Sequence, residues 1–210
     1  MSQLPPNSRL IEGIVTTIAG PKPFAGIPGD APVSPAQFAA VNIAPMGPII
    51  DAEFTTLILR PFTSSTTYRN LRTTGEGVFH ITDDALLIAR AAIGLPIDVP
   101  TRRSEQILGV VLTCACRAYE FVVTKLDNSK ERTHIEAQIV HVRHQREFLG
   151  FNRAKHAVIE AAILATRIHL TGTAPVLEEM KKLQVLVDKT GAEPEHQAMR
   201  ELRSFVEGKS

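Results

Sequence analysis

Arg60 ends an apolar, β-branched segment, and Thr63-Ser64-Ser65-Thr66-Thr67 follows almost at once. A strand would deliver a fixed cation there, and a row of hydroxyls would meet the start of a short helix at Tyr68–Thr74. A helix start carries unpaired N–H groups and the positive end of the macrodipole, so it draws anions. Hydroxyls add donors, and a guanidinium adds a forked charge suited to phosphate. The same residues also describe a plain capped helix beside an exposed arginine.

A second group is Gly150–His156, GFNRAKH. The helix read from Asn152 onward holds Arg153, Lys155 and His156 in its first turn. Cations there oppose the macrodipole, at about 0.3–1 kcal/mol each. Either an anion or a partner's carboxylates meet them, or the turn is simply solvated. A third group is Val41–Gly47, VNIAPMG. Asn42 stands at a strand end, and Ala44, Pro45 and Met46 give a small, sharply turned backbone that could lie along a flat ring. Taken alone, it is an ordinary strand turn.

Weaker signals set limits. Asp83 and Asp84 read as a helix cap. His141 and His144, three apart on a strand, face opposite sides and make a poor metal pair. Cys114 and Cys116 share a face, and a disulfide across that spacing would be strained. Two buried small side chains are the simpler account. The chain contains neither G-x-G-x-x-G nor G-x-x-x-x-G-K-[ST], and no G-x-S-x-G elbow. No catalytic dyad stands out, and the sequence points to no metal.

The elements that must position these residues follow from patterning. Leu10–Ile18, Phe38–Ile43, Phe54–Arg60 and Val78–Thr82 read as strands. Pro45–Pro48 reads as a turn. Ala19–Gln37, rich in proline and glycine, reads as a long loop. Asp84–Ile93 is a helix closed by Gly94 and Pro96. Ala115–Leu126 and Arg132–Arg143 form a long hairpin, and the apolar phase slips at Val140, which predicts a β-bulge. Helices follow at Asn152–Leu170, Pro175–Thr190 (capped by Gly191) and Pro194–Glu207. Ala157–Ala165 is apolar around most of its helix, which suggests a second chain as its cover. Strands interrupted by two helices, then a run of helices, give an α+β arrangement.

The 210 residues, 44% hydrophobic and 21% charged, suit one ordinary globular domain or a domain with a small appendage. A net charge of +1 argues against nucleic acid or membrane as a partner. No apolar run reaches membrane-spanning length, and the N-terminus does not resemble a signal peptide, so a cytoplasmic location is expected.

VNIAPMG, LRPFTSSTTYRNLRTTGEGVFHITDD and GFNRAKHAVIEAAILATRIHL, in that order, resemble an uncharacterised protein family. It is found largely in archaea and in some bacteria with pterin-linked one-carbon metabolism. Its members look like flavin-reductase-type split β-barrels that bind flavin mononucleotide (FMN). The resemblance implies an α+β fold: an antiparallel split β-barrel over residues 1–150, with a C-terminal helical segment at 151–210 packing on the barrel and on a dimer interface. The related flavin reductases carry Ser-x-Thr-x-x-Asn before a short helix, matched here by Ser65, Thr67 and Asn70. By resemblance, Ser65 and Thr67, with Ser64 and Thr66 beside them, hold the phosphate, and Arg60 is the counter-charge. Asn42, Ala44, Pro45 and Met46 lie along the ring, and the cofactor-binding residues Thr82 and Asp83 follow the strand that closes the ribityl side in flavin reductases. The flavin sits near a two-fold interface, where Asn152, Arg153, Lys155 and His156 meet it. The implied activity is a flavin-dependent reductase using NAD(P)H on a small molecule, with a non-catalytic flavin-binding or storage module as the alternative. A structural dimer with an empty site is a third reading.

Overall fold

In a computed structural model of the protein, the described residues are 5, 7–20, 33–38 and 40–209. Most of the expected loop at 19–37 lies outside them. Along the chain run β1 (Arg9–Leu10), β2 (Gly13–Ile18), α1 (Pro35–Phe38), β3 (Val41–Met46), β4 (Ile49–Ile50), β5 (Thr56–Leu59), α2 (Thr66–Thr74), β6 (Glu76–Ile81) and α3 (Ala85–Ile93). Then come β7 (Thr101–Arg103), β8 (Val110–Leu112), β9 (Arg117–Asp127), β10 (His134–His144), α4 (Arg153–Thr166), α5 (Ile168–Thr171), α6 (Thr173–Thr190) and α7 (Glu193–Glu207).

The chain divides into two compact units: Met1–Thr82 with Val99–Glu147, and Asp83–Asp98 with Phe148–Ser210. The second takes in α3, far upstream of the boundary expected at 150. The first holds an antiparallel sheet of eight strands in the order β1-β4-β5-β10-β9-β6-β2-β3, curled as a half-barrel. Its core joins Val15, Leu57, Phe79, Phe121 and Ile135 to Tyr68 and Leu71 of α2. A hairpin of β7 and β8, absent from the sequence reading, is tied to β2 where Thr16 Oγ1 donates to the Val110 carbonyl at 2.6 Å. The fold is α+β, an antiparallel split barrel with C-terminal helices.

Several boundaries differ from the sequence reading. Phe38 ends a helical turn rather than opening a strand, and Pro45 and Met46 belong to β3 rather than to the turn after it. Pro45 can stand in a strand because β3 is at the sheet edge, where a missing N–H breaks no ladder. Phe54 has a positive φ of 54° and precedes β5 instead of starting it. The bulge is present: β10 gains one residue, Val140, between Ile139 and His141. A second irregularity lies between Glu136 and Ala137.

In the second unit, α4 is covered from within the chain. Ala157, Val158, Ala161, Ala162 and Ala165 are buried in one cluster with residues of α3, α6 and α7. The apolar circumference of α4 therefore has its cover without a second chain, and the sequence argument for an interface on this helix lapses. Small residues let the helices approach closely: a Cβ on Gly191 would stand 2.6 Å from the Val187 carbonyl and 3.3 Å from Ala154 Cβ.

Candidate functional site

The Ser65-x-Thr67-x-x-Asn70 motif opens α2, and each of its residues has a distinct task. Ser65 is the N-cap: its Oγ accepts from Tyr68 N at 3.1 Å and donates to the Phe62 carbonyl at 2.7 Å. Its hydrogen is thereby used within the cap. Thr67 and Asn70, three apart, share the buried helix face. Both are drawn to the β2–β3 hairpin. Asn42 Nδ2 donates to Thr67 Oγ1 at 3.0 Å and to Thr17 Oγ1 at 3.3 Å. Asn70 Nδ2 donates to the same Thr17 oxygen at 3.0 Å. Thr17 and Asn42 are direct cross-strand partners. Thr17 escaped the sequence reading because its strand looked purely structural; the signal was a hydroxyl opposite the one amide on β3.

The start of α2 is electropositive. It has no acid in its first turn. Among the described residues, the backbone N–H groups of Thr66 and Thr67 have no partner. Arg69, also missed, donates to the Ser64 carbonyl at 2.6 Å and to Thr66 Oγ1 at 2.8 Å. Arg60 Nε is buried with no hydrogen-bond partner among the described residues. The segment carrying it is held in place: Thr133 Oγ1 donates to the Pro61 carbonyl at 2.7 Å, and Thr63 N to the Glu131 carbonyl at 2.9 Å. The β9–β10 turn also reaches α2, where Asn128 Nδ2 donates to the Tyr68 hydroxyl at 2.9 Å.

Asn42, Ala44, Pro45 and Met46 lie half-buried along β3, paired with Thr17, Val15, Ile14 and Gly13 of β2. Thr82 is buried just past the end of β6, in the first unit. The remaining expected residues fall in the second unit. Asp83 is buried; its Oδ2 accepts from Leu149 N at 3.0 Å and its carbonyl from Lys155 Nζ at 2.6 Å. Asp84 alone caps α3, accepting from Leu87 N at 2.9 Å. Asn152 caps α4, accepting from Ala154 N and Lys155 N and donating to the Thr190 carbonyl. The charge problem of this first turn is thus partly met within the unit, with Glu195 Oε1 also 3.9 Å from Lys155 Nζ. Arg153 and His156 are exposed.

His141 Nε2 is 3.4 Å from Glu105 Oε2, and His144 Nε2 is 3.3 Å from Glu147 Oε1. Among the described residues, no group of His, Cys, Asp and Glu could hold a metal ion, and no helix is long and apolar enough to cross a membrane.

The fold is that of a split-barrel protein, and its α2 opens with unpartnered N–H groups and no acid in its first turn. The chain belongs to the family of proteins of unknown function called DUF447, matching its N-terminal domain over residues 34–146 and its C-terminal part over 152–204. It is similar to an FMN-bound member of that family from Methanosarcina mazei, with a TM-score of 0.75 and 22% identity over 93% of this chain and 94% of that one. Two other solved structures align more loosely. Flavoredoxin from Methanosarcina acetivorans has a TM-score of 0.47 and 8% identity, over 71% of this chain and 78% of its own. An FMN-binding protein from Thermus thermophilus with bound 1-cyclohex-2-enone has 0.46 and 11%, over 65% and 72%. No curated protein matches the chain.

Proposed function

We propose that this protein binds FMN and works as a flavin-dependent oxidoreductase on a small molecule, with NAD(P)H as electron donor. The observation that carries the reading is the buried, unpartnered Nε of Arg60 together with the free N–H groups opening α2. A buried donor without an acceptor costs about 1–3 kcal/mol, which a phosphate oxygen would recover. The residues therefore suit the phosphate end of FMN. Arg60 and the N–H groups of Thr66 and Thr67 hold it, Thr67 adds its hydroxyl, Ser65 fixes the helix start as its cap, and Arg69 steadies Ser64 and Thr66. Asn42, Ala44, Pro45 and Met46 offer an edge for the ring. A bound flavin supplies the hydride chemistry, and the chain's own residues bind and orient it.

The exposure of Phe148, Leu149 and Phe151, the last at 105%, supports a homodimer that covers them, with the flavin near the interface. A second reading has its own support. Thr17, Asn42, Thr67 and Asn70 are all amides and hydroxyls that do not titrate, which suits a module that holds flavin without turnover.

The absorbance spectrum of the purified protein, followed by titration with FMN and riboflavin, tests the binding. FMN should bind at least tenfold more tightly, as one charge-assisted contact is worth about 1.5–3 kcal/mol. Equal affinities would remove the phosphate from the argument. Bleaching of the bound flavin by NADH or NADPH, with reoxidation by a candidate substrate, separates the enzyme from the holding module. The pterin carriers suggested by the family resemblance are the first substrates to try.

A further inference from the structure

Thr17 is 1% exposed, yet two amides from different elements converge on its hydroxyl. A hydroxyl oxygen has two lone pairs. Asn42 and Asn70 fill both. Asn42 directs its second amide hydrogen to Thr67 Oγ1. With both hydrogens pointed at hydroxyls, the carboxamide oxygen of Asn42 is turned away from the network, and among the described residues no donor reaches it. Thr67, accepting from Asn42, keeps its own hydrogen for another acceptor.

We infer that Thr17 is a positioning residue that sets the polarity of the site, making Asn42 Oδ1 its acceptor and the Thr67 hydroxyl its donor. This rests on the flavin reading above. A matching ligand brings an N–H or O–H to Asn42 and an oxygen acceptor to Thr67. FMN has both kinds of group, in its ribityl hydroxyls and imide N–H and in its phosphate. With Thr17 absent, Asn42 and Asn70 lose their shared anchor. Asn42 can then rotate its amide and present hydrogens where the ligand also presents one.

The test compares wild type, Thr17→Val and Thr17→Ser by FMN titration, by the visible spectrum of the bound flavin and by thermal unfolding. Valine keeps the shape and removes the acceptor; serine keeps the acceptor. Thr17→Ser should bind within about twofold of wild type with the same spectrum. Thr17→Val should bind about tenfold or more weakly, one lost hydrogen bond or slightly more, with a spectrum shifted toward free flavin. If the valine variant does not fold, Thr17→Cys, with its poor acceptor sulfur, takes its place with the same expected direction. A folded variant with a lowered melting temperature but wild-type affinity and spectrum would overturn the inference and leave Thr17 a structural residue. Wild type that binds no flavin would overturn the flavin reading itself.

Discussion

Arg69 Nη2 donates to Thr66 Oγ1 at 2.8 Å, one turn back along α2, while its Nη1 holds the Ser64 carbonyl at 2.6 Å. One guanidinium thus ties down the residues on either side of the helix cap. Arg60 differs: its Nε is buried and unpartnered. The two arginines should therefore fail differently. Arg60→Ala should lower FMN affinity by about tenfold to a hundredfold, leave riboflavin binding nearly unchanged, and preserve the circular dichroism spectrum. Arg69→Ala loosens the segment proposed above to frame the phosphate and should affect FMN less, by a few-fold. Parallel titrations of both variants with both ligands measure this, and equal losses for FMN and riboflavin in Arg60→Ala would place the phosphate elsewhere.

His80 gives the first unit an acid-sensitive joint. Its ring is 0% exposed; Nδ1 faces the Ile14 carbonyl at 3.3 Å and Nε2 accepts from Leu112 N at 3.0 Å. Only the neutral ring can accept that N–H. Burial pushes the imidazole down to about 4 from an ordinary 6.5, against the smaller opposing effect of the Ile14 bond. The unfolded chain therefore binds the proton first as pH falls. The stability tied to the neutral ring is fully present above pH 6.5, declines toward pH 4, and changes no further below it. The loss is on the order of 3 kcal/mol, from about 1.4 kcal/mol per pKa unit. Urea unfolding between pH 4 and 8 should show this slope in wild type and a flatter one in His80→Gln.

Sequence and structure agree where one residue type has one physical use. Asp84 was legible as a cap because a short polar side chain before an apolar periodic run does little else. The phase slip at Val140 announced its bulge because alternation has a strict period of two. The Ser65-x-Thr67-x-x-Asn70 spacing was legible, but its partners were not. Thr17 and Asn42 meet Thr67 and Asn70 only after a strand pairing and a helix packing that no local pattern encodes. For the same reason, nothing near Ala85–Ile93 revealed that α3 packs with helices about seventy residues downstream. The apolar girdle of α4 was read correctly as needing cover, and that cover comes from within the chain.

Gly77 lies on β6 under the ring of Phe121, and an added Cβ would stand 2.6 Å from Phe121 Cζ. That ring is fully buried in the sheet core and cannot swing aside. Gly77→Ala should cost about 1–3 kcal/mol through overpacking. Gly75, two residues earlier, has open space around its Cβ position but a φ of +70°. Its alanine variant should cost nearer 1 kcal/mol, from the left-handed backbone alone. Denaturant midpoints of the two variants compare crowding with backbone strain, and a larger loss at Gly75 would reverse the assignment.

Two variants, one single and one double, separate the proposed dimer contact from the folding of the helical unit. Ala161 lies on α4 at 0% exposure, inside a cluster closed by α3, α6 and α7. Ala161→Glu would bury a carboxylate in a cluster whose buried members are all apolar. Such a change costs about 3 kcal/mol or more and should melt the helices at whatever concentration the protein is studied. Phe148 and Phe151 are instead exposed, with ring centroids 6.4 Å apart at a 70° edge-to-face angle. Their segment is anchored, since Leu149 N donates to the buried Asp83 carboxylate. An anchored chain that keeps two phenyl rings in water gains by covering them, and a second copy is the cover proposed above. Phe148→Ser with Phe151→Ser should leave the helical circular dichroism signal and the monomer fold unchanged, since neither ring contributes to a core. Sedimentation velocity at low micromolar concentration should then show dimer for wild type and monomer for the double variant. A wild-type monomer, or a double variant that stays dimeric, would take this surface out of the interface.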